Sequence, residues 1–216
     1  MPRPIPTNVL SVRILPNADP ALLASLAVRP GHRSLGLFTT DCDDASYAAL
    51  DEATKAATVE VVYGKSLYAG AANASTKLAG EVIGILAGPD PAEVASGLRA
   101  CVSFMSGEVG FRSANPDDSI IYFAHTVSRT GSYLSKTAGV REGEALAYLI
   151  APPLEAVVGL DEAMKAADVE LAALFEPPSE TNFGGGLLTG TQSACHAAAA
   201  AFAQAVQAVA QSPREV

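Results

Sequence analysis

Apolar positions fall into short unbroken runs separated by longer alanine-rich segments. Leu35-Gly36-Leu37-Phe38 and Leu146-Ala147-Tyr148-Leu149 are runs of this kind, and each predicts a strand buried on both faces. Asp43 to Ala57 and Leu154 to Ala167 predict helices, each passing into a short strand, Val59 to Val62 and Val169 to Phe175. Gly84-Ile85-Leu86-Ala87-Gly88 and Gly186-Leu187-Leu188-Thr189-Gly190 predict further strands, and both lead into alanine-rich helices. The first of these helices has clear start signals: Asp90 as N-cap, Pro91 at the first helical position and Glu93 to complete a capping box, with an end near Ser106. Its counterpart runs from about Thr191 to about Gln211.

The same order occurs twice because the chain is a duplication. Asp51-Glu52-Ala53-Thr54-Lys55-Ala56-Ala57-Thr58-Val59-Glu60 returns 110 positions later as Asp161-Glu162-Ala163-Met164-Lys165-Ala166-Ala167-Asp168-Val169-Glu170. Val28-Arg29-Pro30-Gly31 is likewise matched by Val140-Arg141-Glu142-Gly143. Repetition over this length indicates two copies of one folding unit. Each copy reads strand, short helix, strand, helix, strand, loop, strand, helix, which predicts an α/β or α+β split-βαβ sandwich. The expected division is residues 1–109 and 110–216, joined by a turn around Asn115-Pro116-Asp117-Asp118.

Composition narrows the function. The chain has 216 residues, 49% hydrophobic and only 17% charged, where about 25% charged is usual. So few charges suit a surface partly buried against other subunits. The net charge is −9 and no basic cluster exists, which argues against nucleic acid. The opening Met1-Pro2-Arg3-Pro4 lacks the apolar stretch of a secretory signal, and no apolar run approaches the ~20 residues of a membrane span. A cytoplasmic protein without a lipid-membrane partner is the expectation. Cys42, Cys101 and Cys195 are too few and too scattered for a disulfide framework or zinc ribbon, so buried thiols are expected.

Several motif fragments fail. Gly64-Lys65-Ser66 resembles the end of a phosphate-binding loop, but position 59 is Val where that loop needs Gly. There is no Gly-x-Ser-x-Gly elbow and no cysteine with an evident base, so nucleophilic catalysis is not indicated and no enzyme is expected. Asp41-Cys42-Asp43-Asp44 stands out, at the mouth of a buried strand and the start of a helix. One carboxylate satisfies a helix start and three exceed the need. The second copy has Pro152-Pro153-Leu154-Glu155 there, so the fold does not demand the acids. Their excess charge points to a cation ligand, a primary amine or a divalent metal, with Glu81 as a further candidate member. The two segments between third and fourth strands, from Ser66 to Lys77 and from Pro177 to Gly186, differ most between the copies and are candidate functional loops.

Long stretches are recognisable: Val61-Val62-Tyr63-Gly64-Lys65-Ser66-Leu67-Tyr68-Ala69-Gly70-Ala71, Ser128-Arg129-Thr130-Gly131-Ser132-Tyr133-Leu134, Ala151-Pro152-Pro153-Leu154-Glu155-Ala156 and Pro177-Pro178-Ser179-Glu180-Thr181-Asn182. With Asp51 to Lys55 they resemble the tandem-domain shell-protein family of the ethanolamine-utilisation bacterial microcompartment, over nearly the whole chain. The resemblance implies two circularly permuted, ferredoxin-like microcompartment domains per chain. It implies a pseudo-hexameric homotrimer that tiles with other microcompartment shell proteins, and a conduit rather than an enzyme. Carried over residue by residue, it places an ethanolamine-binding small pore on Asp43, Asp44, Glu81 and Phe111. It places a gated central pore on Tyr68, Ala69, Gly70, Ser179, Glu180, Thr181, Asn182 and Phe183. It also brings zinc at Asp43, Asp44 and Glu81 and cobalamin at subunit contacts as candidate ligands, neither required by the sequence. Two rival readings remain at this level: a carboxylate-metal enzyme using Asp41, Asp43 and Asp44 with His32 or His125, and a trimeric ferredoxin-like protein that senses a small ligand.

Overall fold

A computed structural model describes residues 2–66, 81–176 and 182–214. The first sequence copy supplies β1 (Val9–Leu15), α1 (Pro20–Ser25), β2 (Ser34–Thr40), α2 (Asp43–Ala56), β3 (Glu60–Ser66), β4 (Val82–Gly88) and α3 (Pro91–Met105). The second supplies β5 (Arg112–Ser113), β6 (Ile121–Val127), α4 (Ser132–Ala138), β7 (Ala145–Ala151), α5 (Pro153–Ala166), β8 (Val169–Phe175), β9 (Gly184–Gly190) and α6 (Gln192–Gln211). Apart from the short β5, the duplicated order is the one the apolar pattern predicts.

Each copy builds its own antiparallel sheet, ordered β1-β2-β4-β3 in one and β5-β6-β7-β9-β8 in the other. The equivalent edge strands β3 and β8 both carry a bulge, after Val61 and after Leu171. β7 is buried along its whole length and β2 nearly so, as unbroken apolar runs require. In each copy a helix pair packs on the sheet, α2 with α3 and α5 with α6. Small residues permit the close approach. A Cβ added at Gly84 would stand 2.7 Å from Leu50 Cδ2, and one at Gly159 would stand 2.6 Å from the Phe202 ring.

The chain forms two compact units with the main cut between Glu108 and Val109. Residues 1–6 pack with the second unit, where Ile5 N–H donates to the Phe111 carbonyl and Ser113 N–H to that of Arg3. Residues 131–134 pack with the first unit. The Asn115 turn closes with Asp118 at φ 58° and the Asn115 side-chain carbonyl accepting from Ile120 N–H.

The α3 capping box is only half made. The Asp90 carboxylate accepts from Ala92 and Glu93 N–H, but the Glu93 carboxylate turns instead to Thr58 N–H. The turn between α2 and β3 offers the Thr58 amide there, and that long-range donor wins over the local one. All three cysteines are free and buried. No described helix is long and apolar enough to cross a membrane.

Candidate acidic site and pore residues

The start of α2 is fixed by hydroxyls. Thr40 at the end of β2 and Ser46 in the first turn hydrogen-bond at 2.5 Å, and Ser46 donates to the Cys42 carbonyl at 2.7 Å. Cys42 is the N-cap and makes no side-chain cap. Asp43 and Asp44 therefore occupy the first helical turn and are buried. Asp41 leaves this group: its carboxylate accepts from Asn8 N–H and Asn8 Nδ2, both at 2.6 Å. The three-acid cluster of the sequence is thus a buried pair plus a clamp on the entry to β1.

Burial pushes the Asp43 carboxyl up to about 6, against hydrogen bonds from the Ser66 hydroxyl, from Asp44 N–H and from the Asp44 carboxyl. A helix N-terminus favours a carboxylate by only about 0.3–1 kcal/mol, whereas a rise of two units represents about 3 kcal/mol. Desolvation wins at Asp43, even with the Asp44 side chain hydrogen-bonded to it. The same burial, with Asp43 and Asp44 beside it, pushes the Cys42 thiol far up, so it remains an inert thiol. Glu81, half-buried, directly precedes β4 in the same unit.

Phe111 belongs to the other compact unit and is fully buried. Its ring packs at 5.6 Å from both Phe123 and Phe183. Sequence reasoning placed Phe183 in a pore loop and Phe111 at a small pore; the fold puts their rings together. Asn182 is exposed, while Tyr68, Ala69, Gly70, Ser179, Glu180 and Thr181 lie outside the described residues.

The metal reading finds no donor set. Among the described residues no three His, Cys, Asp or Glu side chains converge to hold a metal ion, whereas zinc takes four ligands or three plus water. His32 is engaged by Arg29, whose Nε and Nη2 reach Nε2 at 2.9 and 2.7 Å, and burial with that cation holds the imidazole below its ordinary pKa. His125 packs its ring 5.9 Å from Phe123.

Comparison with known proteins gives this architecture its class. The family model described as BMC domain matches residues 34–113, from β2 to β5. Two such units in tandem define a bacterial microcompartment shell protein. The EutL shell protein of Clostridium perfringens (strain 13 / Type A) is 68% identical over 206 residues, covering 95% of both chains. That of Salmonella typhimurium (strain LT2) is 51% identical, covering 95% of this chain and 94% of its own. The crystal structure of the ethanolamine utilization protein EutL from Leptotrichia buccalis matches with a TM-score of 0.95 at 64% identity, covering 100% of this chain and 99% of that one. The chain belongs to the EutL family of bacterial microcompartment shell proteins.

Proposed function

We propose that this shell protein forms a homotrimeric, pseudo-hexagonal tile that conducts small metabolites and does no catalysis. In this reading Asp43 and Asp44, with Glu81, form the acidic wall of a small pore that takes the ammonium of ethanolamine. The loops carrying Tyr68, Ala69, Gly70 and Ser179 to Phe183 line and gate a central pore. The tile lies in a microcompartment shell in the cytoplasm. The observation that carries the binding site is the buried Asp43–Asp44 pair, present in one unit and replaced by Pro153 and Leu154 in the other. A fold requirement would have kept acids in both. Two carboxyls held out of water, that of Asp43 with a raised pKa, gain most from an organic cation that restores their charge.

A conduit must release what it binds, so a millimolar dissociation constant, about −4 kcal/mol, is expected. Calorimetry of the assembled protein with ethanolamine tests this. Weak binding that disappears in Asp44→Ala, with the oligomer intact, supports the site; nanomolar binding excludes transport through it. Zinc and cobalamin enter no step of this reading.

A further inference from the structure

The turn before the first long strand of each copy closes in a different way. In the first copy Arg29 Nε and Nη2 both donate to His32 Nε2, three residues on, and His32 N–H donates to the Arg29 carbonyl at 3.3 Å. In the second copy the equivalent Arg141 donates from Nε to the Glu144 carboxylate at 2.8 Å. The left-handed glycines Gly31 and Gly143 give the two turns the same shape. One closure is an exposed ion pair, and the other is a guanidinium on an imidazole whose side chain is 5% exposed.

A neutral imidazole has one lone pair to offer, and Arg29 occupies it. A guanidinium carries five donors and no acceptor, so Nε2 accepts and the ring proton stands on Nδ1. Among the described residues Nδ1 has no hydrogen-bond partner, although Glu60 Oε1 at the start of β3 lies 3.5 Å away. Arg29 and Glu60 are the charged groups that face the ring, and β4 brings up the Ala87 backbone. Glu60 is held in place by Arg29 N–H at 3.2 Å, and its second oxygen stands 3.8 Å from Arg29 Nε. A proton on Nε2 would set donor against donor at 2.7 and 2.9 Å with no lone pair between them. Proton and Arg29 therefore compete for one position, and a ring that gains the proton has Glu60 beside it as counterion.

The segment tied down by this contact is weakly held otherwise. α1 buries no residue of its own. Leu23, Leu26 and Val28 are only partly buried against the cluster of Ala18, Leu35 and Ala87. Ala27 sits at φ 52°, a strained conformation for a residue with a side chain. Arg29 is half-exposed and has room to swing outward. Beyond His32 the chain is fixed, with Arg33 N–H on the Gly88 carbonyl.

We propose that His32 is an acid-operated clasp: a proton taken at Nε2 expels Arg29 and frees residues 26–30, and α1 with them, from the Ala18–Leu35–Ala87 cluster. The Arg141–Glu144 turn of the second copy stays closed, because its acceptor is not an imidazole. Burial and the Arg29 cation hold the His32 pKa below its ordinary 6.5. The closed clasp therefore adds stability above that ordinary value and loses it as pH falls through the lowered one. The inference does not depend on what the shell protein conducts.

The test is hydrogen exchange read by mass spectrometry on the full-length protein at about pH 7.5 and about pH 5.5, corrected for the intrinsic rate. It is run beside His32→Gln, whose amide oxygen can accept from Arg29 but takes no proton. Exchange in residues 20–30 is expected to quicken about tenfold on acidification, the weight of one charge-assisted hydrogen bond, and to stay level in His32→Gln and in residues 138–144. Asp43 titrates in the same range but is common to both proteins, so only their difference counts. Equal pH responses in the two proteins, or in the two turns, overturn the clasp. Should His32→Gln fail to fold, Arg29→Met decides: fast exchange at both pH values supports the clasp, and slow exchange or a retained pH step overturns it.

Discussion

At the scale of single residues, the acid pair sets a pH dependence whose sign is opposite to that of most carboxylates. An Asp in an unfolded chain ionises near 3.9, while Asp43 in the fold ionises near 6. Between those values the folded state binds more protons than the unfolded one, so stability falls as pH rises from about 4 to about 6. The amount is about 2–3 kcal/mol. Asp43→Asn should remove that slope and raise stability at pH 7 by a similar amount, measured as urea midpoints across pH 4–7. The same linkage governs the ligand. An ammonium favours the ionised pair, so ethanolamine affinity should rise with pH through 6 with release of a proton, readable in calorimetry in buffers of different ionisation enthalpy; flat affinity from pH 5 to 7 would place the amine elsewhere. Asp51→Ala strands two buried backbone donors and should cost about 2–5 kcal/mol in chemical denaturation.

At the scale of elements, each helix pair depends on contacts that alanine-rich faces alone cannot supply. Ala and Gly bring α5 and α6 together, and Phe202 fills the space left over against Gly159. Phe202→Ala should cost about 3–5 kcal/mol through cavity formation, seen as a lower melting temperature with an unchanged circular dichroism spectrum in the cold. Removing the α3 cap, Asp90→Ala, should cost only about 1 kcal/mol, since one exposed first turn loses its acceptor. Elements were also where the sequence was most legible. Unbroken apolar runs marked β2, β4, β7 and β9, and Asp90-Pro91 marked the first turn of α3 to the residue. The Glu93 half of its capping box failed because a partner 35 positions away, Thr58 N–H, was invisible to a local rule.

At the scale of the whole molecule, assembly rather than chemistry is the expected behaviour. Concentrated protein should form flat hexagonal layers in electron microscopy; discrete particles alone would speak against a tile. Because no three metal-binding side chains converge among the described residues, dialysis against a chelator should leave the melting temperature unchanged, and a drop of several degrees would reveal a structural metal.

The amino-acid sequence by itself determined the duplication, the element order and the family, because apolar period, helix caps and long repeated stretches are local properties of the chain. It also singled out Asp43 and Asp44, since their counterparts in the second copy are not acidic. Tertiary structure alone decided what equal residues become. Asp51 and Asp161 lie in nearly identical decapeptides, yet one is buried under residues 131–134 and the other is exposed. Asp41 and Asp43 are two positions apart, yet one clamps Asn8 and the other sits in the desolvated pair. A carboxylate's charge, pKa and partners depend on what covers it, and here the covering segments come from far along the chain. No short-range signal records that, which is why the fold was legible in the sequence and the fate of its acids was not.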